Sequence, residues 1–132
     1  AKQNMSGVTL LGVTVLTSTN QDGLHAIGVN DPLEDQVLRL ASMAVKCGIG
    51  GIVCSPLELP HLRKNLPPST ILVTPGIRPL NSDIGDQKRI MSPAQARQAG
   101  ANFLVIGRPI LAAPDPHAAI ESIIEELNKL ES

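Results

Sequence analysis

The stretch NFLVIGRPI, residues 102–110, decides how the rest of the chain is read. A short apolar run stops at Gly107, and a cation and a proline follow at once, Arg108 and Pro109. Short, nearly continuous apolar runs belong to strands buried on both faces, the condition of a parallel sheet covered by helices. The pattern recurs at 70–79, TILVTPGIRP, and two more runs stand at 8–16, VTLLGVTVL, and 51–54, GIVC. Helical stretches separate them. Asp31-Pro32 opens one that runs to about Cys47, with Leu33, Val37, Leu40, Ala41 and Ala44 along one face and Gly48 placed to end it. Ser55-Pro56 caps a second, to about Leu66, which Pro60 shortens or distorts. Ser92-Pro93 repeats the signal for a helix over 94–98, ended by Gly100, and a last helix covers 116–130. Residues 17–30 read as a polar loop and 75–91 as a long one. Strand and helix alternate four times, which calls for a parallel sheet with helical crossovers.

Two architectures share that alternation, a small doubly wound sheet and part of a (β/α)8 TIM barrel. VLTSTN follows the first run where a dinucleotide fold would carry G-x-G-x-x-G, and polar residues gather directly after the third and fourth runs. A barrel holds phosphate in the loops after strands seven and eight, so these four strands read as five to eight. A whole barrel takes about 250 residues. The 132 residues, 1–132, therefore read as the C-terminal half of one, with no second domain. The abrupt start, AKQNMSG, fits that expectation.

Composition narrows the function classes. Hydrophobic residues are 42% and charged residues 17%, enough apolar material for a packed core. The formal charge of −1 supplies no basic field for nucleic acid, and Phe103 is the single aromatic residue, so no base-stacking platform exists. No apolar run reaches the ~18–20 residues a membrane span needs, and no secretory signal is evident. Cys47 and Cys54 stand in apolar stretches outside any CxxC or Cys/His cluster, which reads as reduced thiols in a cytoplasmic protein. His25, His61 and His117 have no metal-ligand spacing, so no metal is expected.

Candidate chemistry gathers at strand ends. Gly107 lets a ligand approach the backbone, the short helix after it offers N–H groups to an anion, and Arg108 presents a fork that suits phosphate oxygens. Pro75 and Pro79 stiffen the loop that carries Arg78, so two arginines from neighbouring strand ends could clamp one phosphate. Gln87, in the long loop, can donate and accept at once and so bridge a phosphate and a base carbonyl. A hydroxyl near Thr17, after the first strand, serves equally as ligand contact or turn residue. Asp83 and Asp86 read as solvated loop acids. No lysine stands beside carboxylates at a strand end, and no G-x-S-x-G nucleophile turn exists. The chain carries a binding apparatus without a catalyst.

Four segments in this order, VTVLTS (13–18), VTPGIRP (73–79), GDQKRIMSPAQA (85–96) and VIGRPI (105–110), resemble the C-terminal half of bacterial orotidine 5′-phosphate decarboxylases, the last enzymes of de novo UMP synthesis. The resemblance implies a (β/α)8 barrel acting as a homodimer without cofactor or metal. It implies that Arg78, Arg108 and Gly107 hold the phosphate and that Gln87 spans phosphate and pyrimidine. Thr17 would meet the pyrimidine amide edge, and Pro75 would line the pocket of the substrate carboxylate. The family's D-x-K-x-x-D array, whose lysine protonates the carbon that loses CO2, is absent from this chain. In the family it lies in the N-terminal half. The expected partners are thus orotidine 5′-phosphate or UMP, an N-terminal barrel half and a second subunit. The alternatives are another sugar-phosphate barrel, such as a hexulose-phosphate synthase, or a non-catalytic phosphate-binding half-barrel that self-associates.

Overall fold

The structure, a computed structural model, describes residues 7–79 and 91–129. Four strands, β1 (Leu11–Val13), β2 (Gly51–Val53), β3 (Ile71–Thr74) and β4 (Phe103–Leu104), form one parallel sheet in the order β1-β2-β3-β4. Val13, Val53, Val73 and Phe103 stand in register across all of it, and Gly12, Ile52 and Leu72 form the next row. Side chains alternate between faces along a strand, so these rows face opposite ways. Ile52 and Leu72 are fully buried beneath the helices, packed with Val37 and Ala41 of α2 (Leu33–Lys46) and Leu59 and Leu62 of α3 (Leu59–Asn65). Gly12 belongs to this row for a steric reason, since an added Cβ would stand 3.2 Å from the Cβ of Ala44 on α2.

The opposite face is open. Val13 and Phe103 are each 59% exposed and Val105 is 53% exposed, although the sequence reads as strands covered on both sides. β1 is also shorter than the run 8–16, because Val8 and Leu16 lie beyond the paired residues and stay exposed.

The loop expected at 17–30 contains a helix, α1 (Gln21–Ala26). Asn20 caps it, its side-chain oxygen accepting from the Gly23 N–H at 2.9 Å. Gln21 then supports the start of α2, which Asp31-Pro32 leads into. Its Oε1 accepts from the Leu33 N–H at 2.8 Å at the start of α2, and its Nε2 donates to the Asp31 carbonyl at 2.9 Å. The Asp31 carboxylate pairs with Arg39 at 2.6 Å. After β2 the chain makes a 3-10 turn, Pro56–Glu58, before α3, which is the distortion expected of Pro60.

The remaining helices are α4 (Pro93–Gln98), α5 (Arg108–Leu111) and α6 (Pro116–Asn128). Ser92 and Gln95 form a reciprocal capping box for α4, with N–H to side-chain distances of 3.2 and 2.9 Å. Asp115 caps α6 by accepting from the N–H groups of His117 and Ala118.

Candidate functional site

Because all four strands run parallel, their C-terminal ends share one rim, and the candidate residues follow them there. After β1, Thr14 Oγ1 donates to the Val53 carbonyl at 3.2 Å, so that hydroxyl ties two strands together. Thr17 is half-buried in the turn that follows, where the Thr19 N–H donates to the Leu16 carbonyl at 2.9 Å.

After β3 the Pro75-Gly76 pair turns the chain, Gly76 taking φ of 77°, a value open to glycine and costly for other residues. The turn returns Ile77, fully buried, to a parallel bridge with Met91, and the Arg78 N–H donates to the Met91 carbonyl at 3.0 Å. The long loop is therefore tied at its base rather than free from 75 onward. Arg78 is 8% exposed, and its Nη1 donates to the Ile77 carbonyl at 3.4 Å. Pro75 beside it is half-buried. Gln87, with Asp83 and Asp86, lies outside the described residues.

On the neighbouring strand, the Val105 N–H donates to the Thr74 carbonyl at 2.9 Å, and the chain then reaches Gly107 and the single turn of α5. Gly107 has a φ of −106°, and an added Cβ would meet nothing within 4 Å. Neither positive φ nor packing demands a glycine here. The space beside it is open, as a closely approaching ligand requires. Arg108 begins α5 with its side chain exposed, and Pro109 brings no N–H, so the backbone donors at the start of this turn come from Gly107 and Arg108.

The rim thus gathers Pro75, Arg78, Gly107 and Arg108 on adjacent strands, with Thr17 two strands across from β3. Between them, after β2, stands Ser55, read from the sequence only as a helix cap. Its hydroxyl is fully buried without a hydrogen-bond partner, while Glu58 Oε2 accepts from its N–H at 2.8 Å. The S-x-x-E spacing was the available signal for that role of Glu58. Cys54 is no nucleophile. Burial pushes its thiol up to about 12, although a contact with the Thr74 hydroxyl at 3.9 Å works in the other direction. Among the described residues, Lys46, Lys64 and Lys129 lie at or beside the C-terminal ends of helices, where the next strand begins or the chain ends. That is the end of the sheet away from the rim.

A cleft of about 360 Å³ does exist, but at that opposite end, lined by Arg63, Pro68, Arg97, Gly100, Ala101 and Asn102. Arg63 fills it structurally, donating to the carbonyls of Thr70 at 2.9 Å and Gly100 at 2.6 Å and to Asn102 Oδ1 at 2.9 Å.

Parallel strands that deliver a buried arginine, an open glycine turn and a second arginine to one rim define an α/β protein of the class that takes ligands at its strands' carboxyl ends. The chain belongs to the orotidine 5′-phosphate decarboxylase / HUMPS family, whose model matches residues 1–123. It is 55% identical over 126 residues to an orotidine 5′-phosphate decarboxylase of Opitutus terrae, covering 96% of this chain and 55% of that protein. It is 48% identical over 118 residues to one of Geobacter sulfurreducens, covering 89% of this chain and 49% of the relative. The crystal structure of orotidine 5′-phosphate decarboxylase from Lactobacillus acidophilus superimposes with a TM-score of 0.78 at 40% identity, over 95% of this chain and 51% of that one. The chain spans about half the length of the relatives it matches.

Proposed function

We propose that this chain is the C-terminal half of an orotidine 5′-phosphate decarboxylase barrel, strands five to eight, supplying the grip on phosphate and pyrimidine. The observation that carries the reading is the pairing of Arg78 with Gly107-Arg108 on adjacent strands, at a glycine the fold itself does not need. In this reading the two guanidinium groups and the backbone at Gly107 hold the phosphate dianion. Thr17 contacts the pyrimidine amide edge, Pro75 lines the carboxylate pocket, and Gln87 bridges the two ends of the nucleotide from the closing loop.

The bond to CO2 breaks with its electron pair left on the pyrimidine carbon, and a lysine protonates that carbon. The lysine and its aspartates belong to the N-terminal half, so this chain alone binds without turning over. Phosphate binding remote from the reacting carbon then holds the loop shut over it, which is how distant binding energy reaches a transition state. The assembled enzyme is a cytoplasmic homodimer that works without cofactor or metal. Among the described residues no helix is long and apolar enough to cross a membrane.

Calorimetric titration with UMP tests the reading. A charge-assisted hydrogen bond is worth ~1.5–3 kcal/mol, so Arg78→Ala and Arg108→Ala should each weaken UMP about 10- to 150-fold. Decarboxylation should appear only when an N-terminal half is added. The breadth of the family model keeps a second reading, a hexulose-phosphate synthase. Equal affinity for ribulose 5-phosphate and UMP, with both lost in the arginine variants, would establish that one and overturn the first.

A further inference from the structure

We propose that the cleft at the end of the sheet away from the rim is a second binding site, for a doubly charged oxyanion: inorganic phosphate or the phosphate group of a small monoester. The proposal does not depend on what the rim binds.

The first observation is a charge without a counter-charge. Arg63, half-buried on α3, gives its terminal N–H groups to neutral oxygens alone. Nη1 donates to the carbonyls of Pro68 at 3.4 Å and Thr70 at 2.9 Å, and Nη2 to the Gly100 carbonyl at 2.6 Å and Asn102 Oδ1 at 2.9 Å. Among the described residues no carboxylate pairs with it. Four dipoles orient the guanidinium without cancelling its charge, and a cation drawn out of water favours an anion beside it. Cations near a helix's C-terminal end ordinarily answer the helix dipole from the surface, as the exposed Lys46 and Lys64 do. Arg63 turns instead between the segment before β3 and the start of β4.

The second observation is a donor with nothing to meet. Asn102 Oδ1 accepts twice, from Arg63 Nη2 and from the Leu72 N–H at 2.8 Å. Those two bonds decide which way round the amide sits, because Nδ2 in the place of Oδ1 would set donor against donor. Nδ2 is thereby held as a donor, and among the described residues it has no partner. Asn102 lines the cleft.

The composition of the walls points the same way. Arg97, on α4, brings a second guanidinium to the lining, and no lining residue is acidic. Two guanidinium groups and an amide donor suit phosphate oxygens, and two positive charges favour a dianion over a monoanion. At about 360 Å³ the cleft lies near the lower end of small-molecule sites, ~300–1,000 Å³, so it takes a phosphate with a small organic group attached. Gly100 takes φ of 104°, and an added Cβ would stand 3.0 Å from Arg63 Nε, so a glycine leaves the guanidinium its place. Arg63 closes one side and contributes charge, while Asn102 Nδ2 and Arg97 supply hydrogen bonds. An anion held there adds to the tie between the starts of β3 and β4, so stability rises with its concentration.

Amide NMR of the chain titrated with inorganic phosphate, at an ionic strength held constant with chloride, tests the site. Saturable shifts are expected at the Gly100 and Ala101 amides and at the Asn102 side-chain amide. They should persist in an Arg78→Ala/Arg108→Ala chain, which lacks the rim's two arginines. Asn102→Asp keeps an acceptor for Arg63 and Leu72 but puts a carboxylate oxygen where the unpartnered donor stands. It should hold or raise Tm while weakening phosphate about tenfold or more, and Arg97→Ala, at an exposed side chain, should weaken it about tenfold. Glycerol 3-phosphate in a parallel titration separates the two sources: tighter binding than inorganic phosphate marks a monoester site, equal or weaker binding a site for the free ion. Shifts that chloride reproduces, shifts confined to Gly107 and Arg108, or an Asn102→Asp chain that binds phosphate as tightly as the parent would overturn the proposal. The rim's arginines are absent from the deciding titration, so its failure leaves the proposed function standing.

Discussion

Replacing Arg63 by alanine should destabilise the chain by ~2–4 kcal/mol while leaving the rim's chemistry intact. The guanidinium reaches from α3 to four acceptors on two segments, the carbonyls of Pro68, Thr70 and Gly100 and the side chain of Asn102. Asn102 Oδ1 also accepts from the Leu72 N–H at 2.8 Å, so one cation pins the starts of β3 and β4. Hydrogen bonds to a charged group are worth ~1.5–3 kcal/mol each. Simple addition would overshoot, because the site is partly exposed and water can replace the lost donor, which is why the estimate is less than half the additive sum. A loss of ~2–4 kcal/mol is a large share of the ~5–15 kcal/mol that holds an ordinary domain together. For a chain of this size it lowers Tm by ~6–16 °C. Arg63→Lys keeps the charge but loses the planar fork, so it should recover only about half of the loss. Urea unfolding followed by circular dichroism measures both variants. The staple lies at the opposite end of the strands from Arg78 and Arg108, so UMP affinity, read well below the variant's melting range, should change no more than about twofold. An Arg63→Ala chain within ~0.5 kcal/mol of the parent, the scatter of ordinary surface changes, would refute the reasoning. A lysine variant as stable as the parent would refute the role of the fork.

The two cysteines should separate in a thiol assay. At pH 8 the exposed Cys47 reacts with Ellman's reagent and the buried Cys54 does not, while both react in denaturant. The same burial makes stability depend on alkali. The Cys54 thiol goes from an ordinary 9.0 to about 12 in the folded chain, so its contribution is complete below pH 9 and is lost as pH rises from there through about 12. Urea midpoints that hold level across that window, or that fall equally for Cys54→Ala, would contradict this. Gly12→Val should cost ~1–3 kcal/mol by overpacking, since its new side chain would meet Ala44 and Ile49 on the helix side of β1. A variant melting with the parent would mean that α2 can withdraw from the sheet.

What the sequence shows plainly and what it hides divide along a physical line. The alternation of strands and helices was legible because proline and glycine mark it. Ser92-Pro93, Asp115-Pro116 and Gly48 stand at or beside the element ends the structure shows. Helix α1 was not, because Gly23 sits inside it and its support is tertiary, through Gln21 reaching the start of α2. Ser55 was legible as a helix cap, but only three dimensions show that its hydroxyl is buried. The disagreement over β1 is more informative. VTLLGVTVL reads as a strand covered on both faces, yet Val8, Leu11, Val13 and Leu16 are all exposed. Phe103 and Val105 repeat the mismatch at the other edge of the sheet. Interior strands need not be misread for this to happen, because along the row from Val13 to Phe103 exposure falls on the flanked strands, Val53 being partly buried and Val73 buried. The excess apolar character is carried by residues on the two outer strands, Leu11 and Val13 on β1 and Phe103 on β4, where a pattern of apolar residues cannot by itself report whether a neighbouring strand is there to cover them.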